Sequence, residues 1–479
     1  MGTTAPTPAG RVAVLTAMCL GLALSMFNST IVNVMVPAIG DSFGSSSSQL
    51  QWISSLYTLL YAALLLPGGA LGNRLGRRRA FLVGISGFAG GSLVCAVAPG
   101  FAVLLAGRVI QAVGAALMLP QTLSILVHEY ADPRARARAV GIWAGGASLG
   151  LAAGPVLGGI VVAASTWRLG FVLSVLLALA TIVLGWSAVP ASRHGRPPDA
   201  PVIDLLGAAF SVISLTALVF GLIESSARGW GSVVILGAFA IFALALAAFL
   251  LSQARAERRG EPPLMPLRLW RSPGFIGANI TGLVYFVTFY AVLYFFSLDL
   301  QVTRHDSALV AGLSFLPLTL VVAILGPIAG RLTATFGTGP VMVAGIVVSA
   351  LGCALLAGTS EHFTLLDLQW RLAVLGIGSG LLSSPTSTAA VSSVPAAHSG
   401  SAAAVYNTFR QVGSTLGVAA VGVVVGPTDA ASFGAGLDRA MWAIAGLLMV
   451  NGALTWTLMR RQAGTGSGRI RGRRDHRRQ

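Results

Sequence analysis

The sequence predicts an all-α integral membrane protein of about fourteen transmembrane helices, and three observations predict it. Of 479 residues, 55% are apolar and only 10% are charged, with a mean hydropathy of +0.81, whereas a soluble domain carries about 25% charged residues. Apolar runs of roughly 20 residues, the length that crosses a hydrocarbon core of about 30 Å, recur along the whole chain with no soluble domain between them. The runs are continuous and lack the alternation of a membrane β-strand, so helix is the element that satisfies the backbone's polar groups in lipid.

The first run, 12–36, follows Arg11 and has no small-residue cleavage site ahead of a soluble domain, so it reads as a retained helix. Five more runs follow at 50–70, 80–98, 102–122, 138–162 and 168–188, then two at 205–224 and 232–252. The last six are 274–298, 308–328, 340–358, 368–389, 403–425 and 438–458. This divides the chain into an N-terminus (1–11), a six-helix half (12–200), a two-helix insert (201–258), a second six-helix half (259–459) and a basic tail (460–479). The insert has little polar character beyond Asp204 and Glu224 at its ends and is expected to flank the bundle. The tail, rich in Gly and Arg without apolar periodicity, is expected to lie unstructured against an anionic leaflet, each Arg worth on the order of 1 kcal/mol.

Net charge is +16 and all 31 basic residues are Arg. Their placement gives a topology. With the N-terminus inside, 24 of them fall on the cytoplasmic side and five, Arg168, Arg228, Arg304, Arg371 and Arg439, on the other, so the positive-inside rule puts both termini in the cytoplasm. This distribution marks a membrane protein and not a nucleic-acid binder. Cys19, Cys95 and Cys353 are widely spaced within spans and read as packing residues.

Gly69-Ala-Leu71-Gly-Asn73-Arg74-Leu75-Gly76, followed by Arg77, Arg78 and Arg79, lies between spans two and three. Gly330-Arg-Leu332-Thr-Ala-Thr-Phe336-Gly337 occupies the matching place between spans ten and eleven. Such internal repetition belongs to proteins that rock two halves about a central site. Span five holds Gly146, Gly150, Gly154 and Gly158 at four-residue intervals, with Pro155 and Gly159. That spacing makes a glycine face on which another helix backbone can pack closely.

These residues carry a family resemblance. The Gly150-x-x-x-Gly154-Pro155-x-x-Gly158-Gly159 run resembles the antiporter motif of drug exporters in the major facilitator superfamily, and the Gly69 to Arg79 loop resembles that superfamily's cytoplasmic gate loop. Arg108-Val-Ile-Gln111-Ala-Val-Gly114-Ala-Ala is similar to the family's Arg-x-x-Gln-Gly-x-Gly-Ala motif, with Ala112 for a glycine. Asn28-Ser-Thr30-Ile-Val-Asn33-Val-Met-Val-Pro37 resembles a stretch of the fourteen-helix drug:proton antiporter branch. Trp52, Tyr57, Trp167-Arg168 and Asn407-Thr-x-Arg410-Gln411-x-Gly413 extend the likeness over nearly the whole chain. The resemblance implies a major-facilitator-type bundle of 6 + 2 + 6 helices in a bacterial cell membrane. It implies a monomer that exports hydrophobic or amphiphilic antibiotics, drugs or natural products by alternating access, in exchange for protons.

Two departures bear on mechanism. The resemblance places aspartate at positions 28 and 73, and this chain has Asn at both. Asn cannot carry a proton, although Asn73 can still cap a helix end. Arg108, whose mid-span guanidinium costs about 2.5 to 3.5 kcal/mol on insertion scales, is expected to face the bundle interior. There it either bridges Asn28 and backbone carbonyls or takes part in substrate and proton handling. The candidate proton carriers are therefore Asp299, Glu224 and Arg108. Asp299 stands out because the resemblance expects Tyr there.

Asn28, Asn33, Trp52, Tyr57, Gln111, Phe286, Phe289, Tyr290, Tyr294, Asn407, Arg410 and Gln411 are the candidate cavity residues. Aromatic, weakly polar linings suit flat apolar ligands. There is no phosphate loop, and the six His residues form no metal-ligand pair, so neither enzyme, metal nor cofactor is expected. A gradient must drive uphill transport, and a proton-independent facilitator or exchanger on the same fold is the alternative. A receptor or scaffold is the remote third reading.

Overall fold

The computed structural model describes residues 8–130, 132–190, 204–358, 364–395, 398–426 and 432–475. Among them there are fifteen α-helices and no strand. The first eight are α1 (Pro8–Phe43), α2 (Ser47–Leu75), α3 (Arg77–Ala96), α4 (Phe101–Glu129), α5 (Pro133–Ala164), α6 (Arg168–Ala188), α7 (Leu205–Arg228) and α8 (Val233–Arg258). The rest are α9 (Pro273–Leu298), α10 (Ala308–Ser314), α11 (Leu316–Phe336), α12 (Thr338–Leu356), α13 (Leu365–Ser392), α14 (Ser399–Val425) and α15 (Phe433–Asp475). Fourteen stretches are long and apolar enough to cross a membrane, one at each expected span, with α10 and α11 together making one of them.

Helix starts follow local chemistry. Ser46 and Gln49 form a capping box at α2. Asp132 accepts from the Ala135 amide ahead of Pro133, and Ser272 accepts from the Phe275 amide ahead of Pro273. In each pair a side-chain oxygen satisfies an orphan amide and the proline supplies a preset φ at the first helical position. The two repeat motifs end alike: Gly76 (φ 88°) closes α2 and Gly337 (φ 84°) closes α11. A side chain would be strained there, so the shared glycine is what lets the chain reverse at matching places in the two halves.

The helices outrun the expected spans. α4 runs to Glu129, α5 starts at Pro133 and α15 continues to Asp475, where an unstructured tail was expected from Arg460. Arg is a good helix former, and extending an existing helix adds one backbone bond per residue fixed. The expected loop arginines Arg193 and Arg196, and residues 1–7, lie outside the described residues.

Helices α1 to α6 pack mainly on one another, as do α9 and α11 to α15, while α10 packs chiefly on α5. The two halves meet along α2/α14, α1/α9 and α5 against α10 and α11. The inserted pair α7/α8 touches the bundle through α7, on α2 and α14. On α5 the glycine face receives α1. A methyl group built at Gly150 would run into the Ala23 carbonyl, one at Gly154 into the Thr30 hydroxyl, and one at Gly158 would sit 3.0 Å from the Ile31 oxygen. Thr30 Oγ1 donates to the Leu151 carbonyl at 3.2 Å across this contact. The next residue, Gly159, meets the Ala308 backbone of the other half, so a single stretch of α5 serves both an intra-half and an inter-half contact.

We expect Gly150→Val to destabilise the protein by about 1 to 3 kcal/mol through overpacking. Gly141→Ala, which meets no atom within 4 Å, should be tolerated. Thermal unfolding of the two variants in detergent checks this, and equal melting temperatures would contradict the close α1/α5 contact.

Candidate functional site

The centre of the N-terminal half is organised by Arg108 of α4, 1% exposed. A guanidinium has only donors, so its neighbours turn acceptors toward it. One Nη donates to Asn28 Oδ1 at 2.6 Å and to Gln111 Oε1 at 3.1 Å, and Nε donates to the Ile53 carbonyl at 3.2 Å. The Tyr57 ring lies 4.6 Å from the guanidinium carbon, a cation–π contact. Gln111 in turn donates to Ser92 Oγ at 2.8 Å, and the Tyr57 hydroxyl shares a hydrogen bond of 3.1 Å with Ser25. Every partner is neutral. The Oδ1 of Asn28 is spent on Arg108, which turns its Nδ2 away, buried and without a partner.

In the other half, α14 carries a second mid-helix cation. Arg410 lies 4.3 Å from the Phe286 ring centroid and 5.7 Å from that of Tyr406. Its Nη donates to Asn407 Oδ1 at 3.3 Å, while its Nε is buried without a partner. Tyr290 stacks on Phe286 at 5.9 Å and Phe289 meets Tyr290 edge-on at 6.0 Å. Gln411 Nε2 is also buried without a partner among the described residues. Among the described residues no carboxylate reaches Arg108 or Arg410.

The remaining expected residues are distributed around this cluster. Asn33 Oδ1 accepts from Ser54 at 3.1 Å, and Tyr294 is fully buried against Phe295. Trp52 points away from the cluster, against Phe220 and Glu224 of α7, with its indole donating to Glu224 at 3.2 Å. Of the acids expected to handle protons, neither reaches the Arg108 network. Glu224 pairs with Arg228 at 3.2 Å. Asp299 is 1% exposed but pairs with Arg304 at 2.9 Å, in a π-helical turn, Asp299–Thr303, that ends α9.

In the gate loop, Gly69 faces Pro120. Arg77 donates to the Ser124 carbonyl at 3.4 Å, and Arg78 to the Trp186 carbonyl. The turn at Gly76 is thus tied to α4 and α6 of its own half. Arg74 is half-buried in the last turn of α2, and the Asn73 side chain lies outside what is described. The halves are joined on the opposite face and through the middle. Gln301 donates to the Val34 carbonyl at 3.1 Å and Thr415 to Thr58 at 2.9 Å, while Gly312 meets Pro155 and Gly422 meets Gln51.

The sequence profile described as "Major Facilitator Superfamily" matches residues 18–204 and 202–418. The chain belongs to the major facilitator superfamily. Its relatives include the "Methylenomycin A resistance protein" of Streptomyces coelicolor, 30% identical over 93% of this chain and 92% of the relative. They also include the "Multidrug resistance protein Stp" of Mycobacterium tuberculosis, 33% identical over 90% and 79%. The "Multidrug efflux pump LfrA" of Mycolicibacterium smegmatis is 31% identical over 88% and 82%. A solved bacterial homologue of the human lysosomal transporter Spinster, in an inward-facing and unoccupied conformation, shares the fold at TM-score 0.64 and 17% identity, covering 95% of this chain and 98% of that one. This superfamily protein is therefore a multi-pass cell-membrane transporter and not an enzyme.

Sequence reasoning did not single out Ser25, Ser92, Tyr61 or Tyr406. Tyr61 follows Tyr57, and Tyr406 precedes Arg410, by one helical turn, a spacing that puts each pair on one face. Ser92 carries no such signal.

We expect Arg108→Met to cost about 1 to 3 kcal/mol, because the acceptors of Asn28, Gln111 and Ile53 are left without a donor. Combining it with Asn28→Leu should recover part of that loss. Unfolding titrations of the three variants check the pattern; additive losses would contradict it.

Proposed function

We propose that this chain exports hydrophobic or amphiphilic small molecules, of the antibiotic, drug or natural-product kind, by alternating access and in exchange for protons. The observation that carries the reading is the relation of the two halves. They are clasped on the face away from Gly76, and each half carries a buried polar and aromatic cluster, one turn from the Thr58–Thr415 contact that joins them. Rocking the halves about those clusters opens them to one side at a time. Arg77 and Arg78 hold the Gly76 turn to their own half, so that half moves as a unit. The relatives named for methylenomycin A and multidrug resistance support export.

The Arg asymmetry supports cytoplasmic termini, with halves at 12–200 and 259–459 and the insert 201–258 flanking them. We read the chain as a working monomer. Tyr57, Phe286, Phe289, Tyr290 and Tyr294 supply ring faces for a flat apolar cargo, and Asn28, Asn33, Gln111, Asn407 and Gln411 supply polar contacts.

A specific observation favours a second reading, transport without protons. Position 28 is a neutral amide spent on Arg108, and Asp299 and Glu224 each already face an arginine. The two readings separate in proteoliposomes loaded with neutral, cationic and anionic dyes under an imposed pH gradient. Proton exchange predicts that the gradient drives dye movement and that Asp299→Asn with Glu224→Gln abolishes the drive. The second reading predicts no effect of either. If no dye moves under any gradient, the export reading falls.

A further inference from the structure

We infer that the cargo is an amphiphilic organic anion, its carboxylate or equivalent acid group held between Arg108 and Arg410; this deepens the export reading and rests on it. Each arginine sits inside a membrane span, the first in α4 and the second near the middle of α14. A charge in that position normally faces the bundle interior or a cavity and pairs with an opposite charge or with backbone carbonyls. Neither of these meets an opposite charge among the described residues. Among the described residues every contact of either guanidinium is neutral: Asn28, Gln111, the Ile53 carbonyl and the Tyr57 ring for Arg108, and Asn407 with the Phe286 and Tyr406 rings for Arg410.

The unsatisfied atoms point the same way. Arg410 Nε, Asn28 Nδ2 and Gln411 Nε2 are donors, and among the described residues all three are buried with no partner. A buried donor without an acceptor is costly. Three of them, one on Arg410 itself and the others beside the two uncompensated cations, describe a site that lacks negative charge and acceptor oxygens, which an acid group supplies. A cationic cargo would meet two like charges there. Ring faces border both arginines, Tyr57 against Arg108 and Phe286, on which Tyr290 stacks, against Arg410, and the apolar body of such an anion would lie on them.

One consequence concerns the driving force. An anion leaving a cell whose interior is negative moves down the membrane potential, each 100 mV being equivalent to about 50-fold accumulation of a monovalent ion. Export of such a cargo does not need an acid at position 28.

Three probes with one aromatic body test this: pyrenebutyrate, its methyl ester, and a pyrenebutyl trimethylammonium. Binding is read by energy transfer from Trp in the full-length protein in nanodiscs, and movement is read in proteoliposomes under a potassium-diffusion potential. We expect pyrenebutyrate to bind at least about tenfold more tightly than the other two, the difference a charge-assisted hydrogen bond makes. Arg410→Gln should remove that preference and Arg410→Lys retain part of it, and the potential alone should drive pyrenebutyrate. Equal or tighter binding of the ester or the cation, with transport intact, overturns the inference and leaves the export reading standing. If none of the three binds or moves, the export reading falls as well. The comparison of probes on the unaltered protein needs no variant to fold.

Discussion

A guanidinium buried in the middle of a membrane protein constrains everything near it, and Arg108 is that constraint here. Its transfer from water costs on the order of 2.5 to 3.5 kcal/mol even on insertion scales, so the structure surrounds it with acceptors: Asn28 from α1, Ile53 from α2 and Gln111 from its own helix. These contacts tie α1, α2 and α4 at one point. Ser92 of α3 joins through Gln111, and α5 is locked to α1 by the glycine face, with Thr30 and Leu151 sharing a hydrogen bond two residues along α1 from Asn28. The tight packing of this half follows from a single buried charge and a single stripe of small residues.

The seam between the halves is built differently. It pairs backbone with small side chains, as where Gly159 meets Ala308 and Gly312 meets Pro155, and it is dotted with isolated hydroxyl and amide contacts such as Thr58 with Thr415 and Gln301 with Val34. In lipid, helices associate through such packing and not through a hydrophobic drive. Contacts of this kind can be broken and remade on the other face at modest cost, whereas the Arg108 network cannot be opened without exposing a charge. The two surfaces therefore differ in how readily their contacts could be exchanged.

Much of this was legible in the sequence, for identifiable reasons. The spans are long apolar runs that admit no other element. Arg108 announced itself as a charge where charge is expensive, and the glycines of α5 announced themselves by spacing. The gate turn was marked by Gly76 and Gly337, whose positive φ the structure records at both repeats. What escaped depended on three-dimensional neighbours. Trp52 carries the same signal as Tyr57, five residues on, but it faces the inserted helix α7 and Glu224. Asp299 read as a candidate proton carrier, and its pairing with Arg304 comes through a π-helical turn that periodicity does not signal. Ser25 and Ser92 are single hydroxyls in apolar helices, indistinguishable by sequence from serines that only bond their own backbone.

Arg108 stays an uncompensated positive charge because position 28 is an amide. Asn28 Oδ1 sits 2.6 Å from an Arg108 nitrogen, so Asn28→Asp installs a carboxylate directly against one of the two cations with almost no change in shape. The most direct measurement is the ratio of binding constants for an anionic and a cationic probe of equal size, before and after that one substitution. The account predicts that the ratio falls by at least about tenfold, as expected when a charge-assisted contact is lost. An unchanged ratio would contradict it.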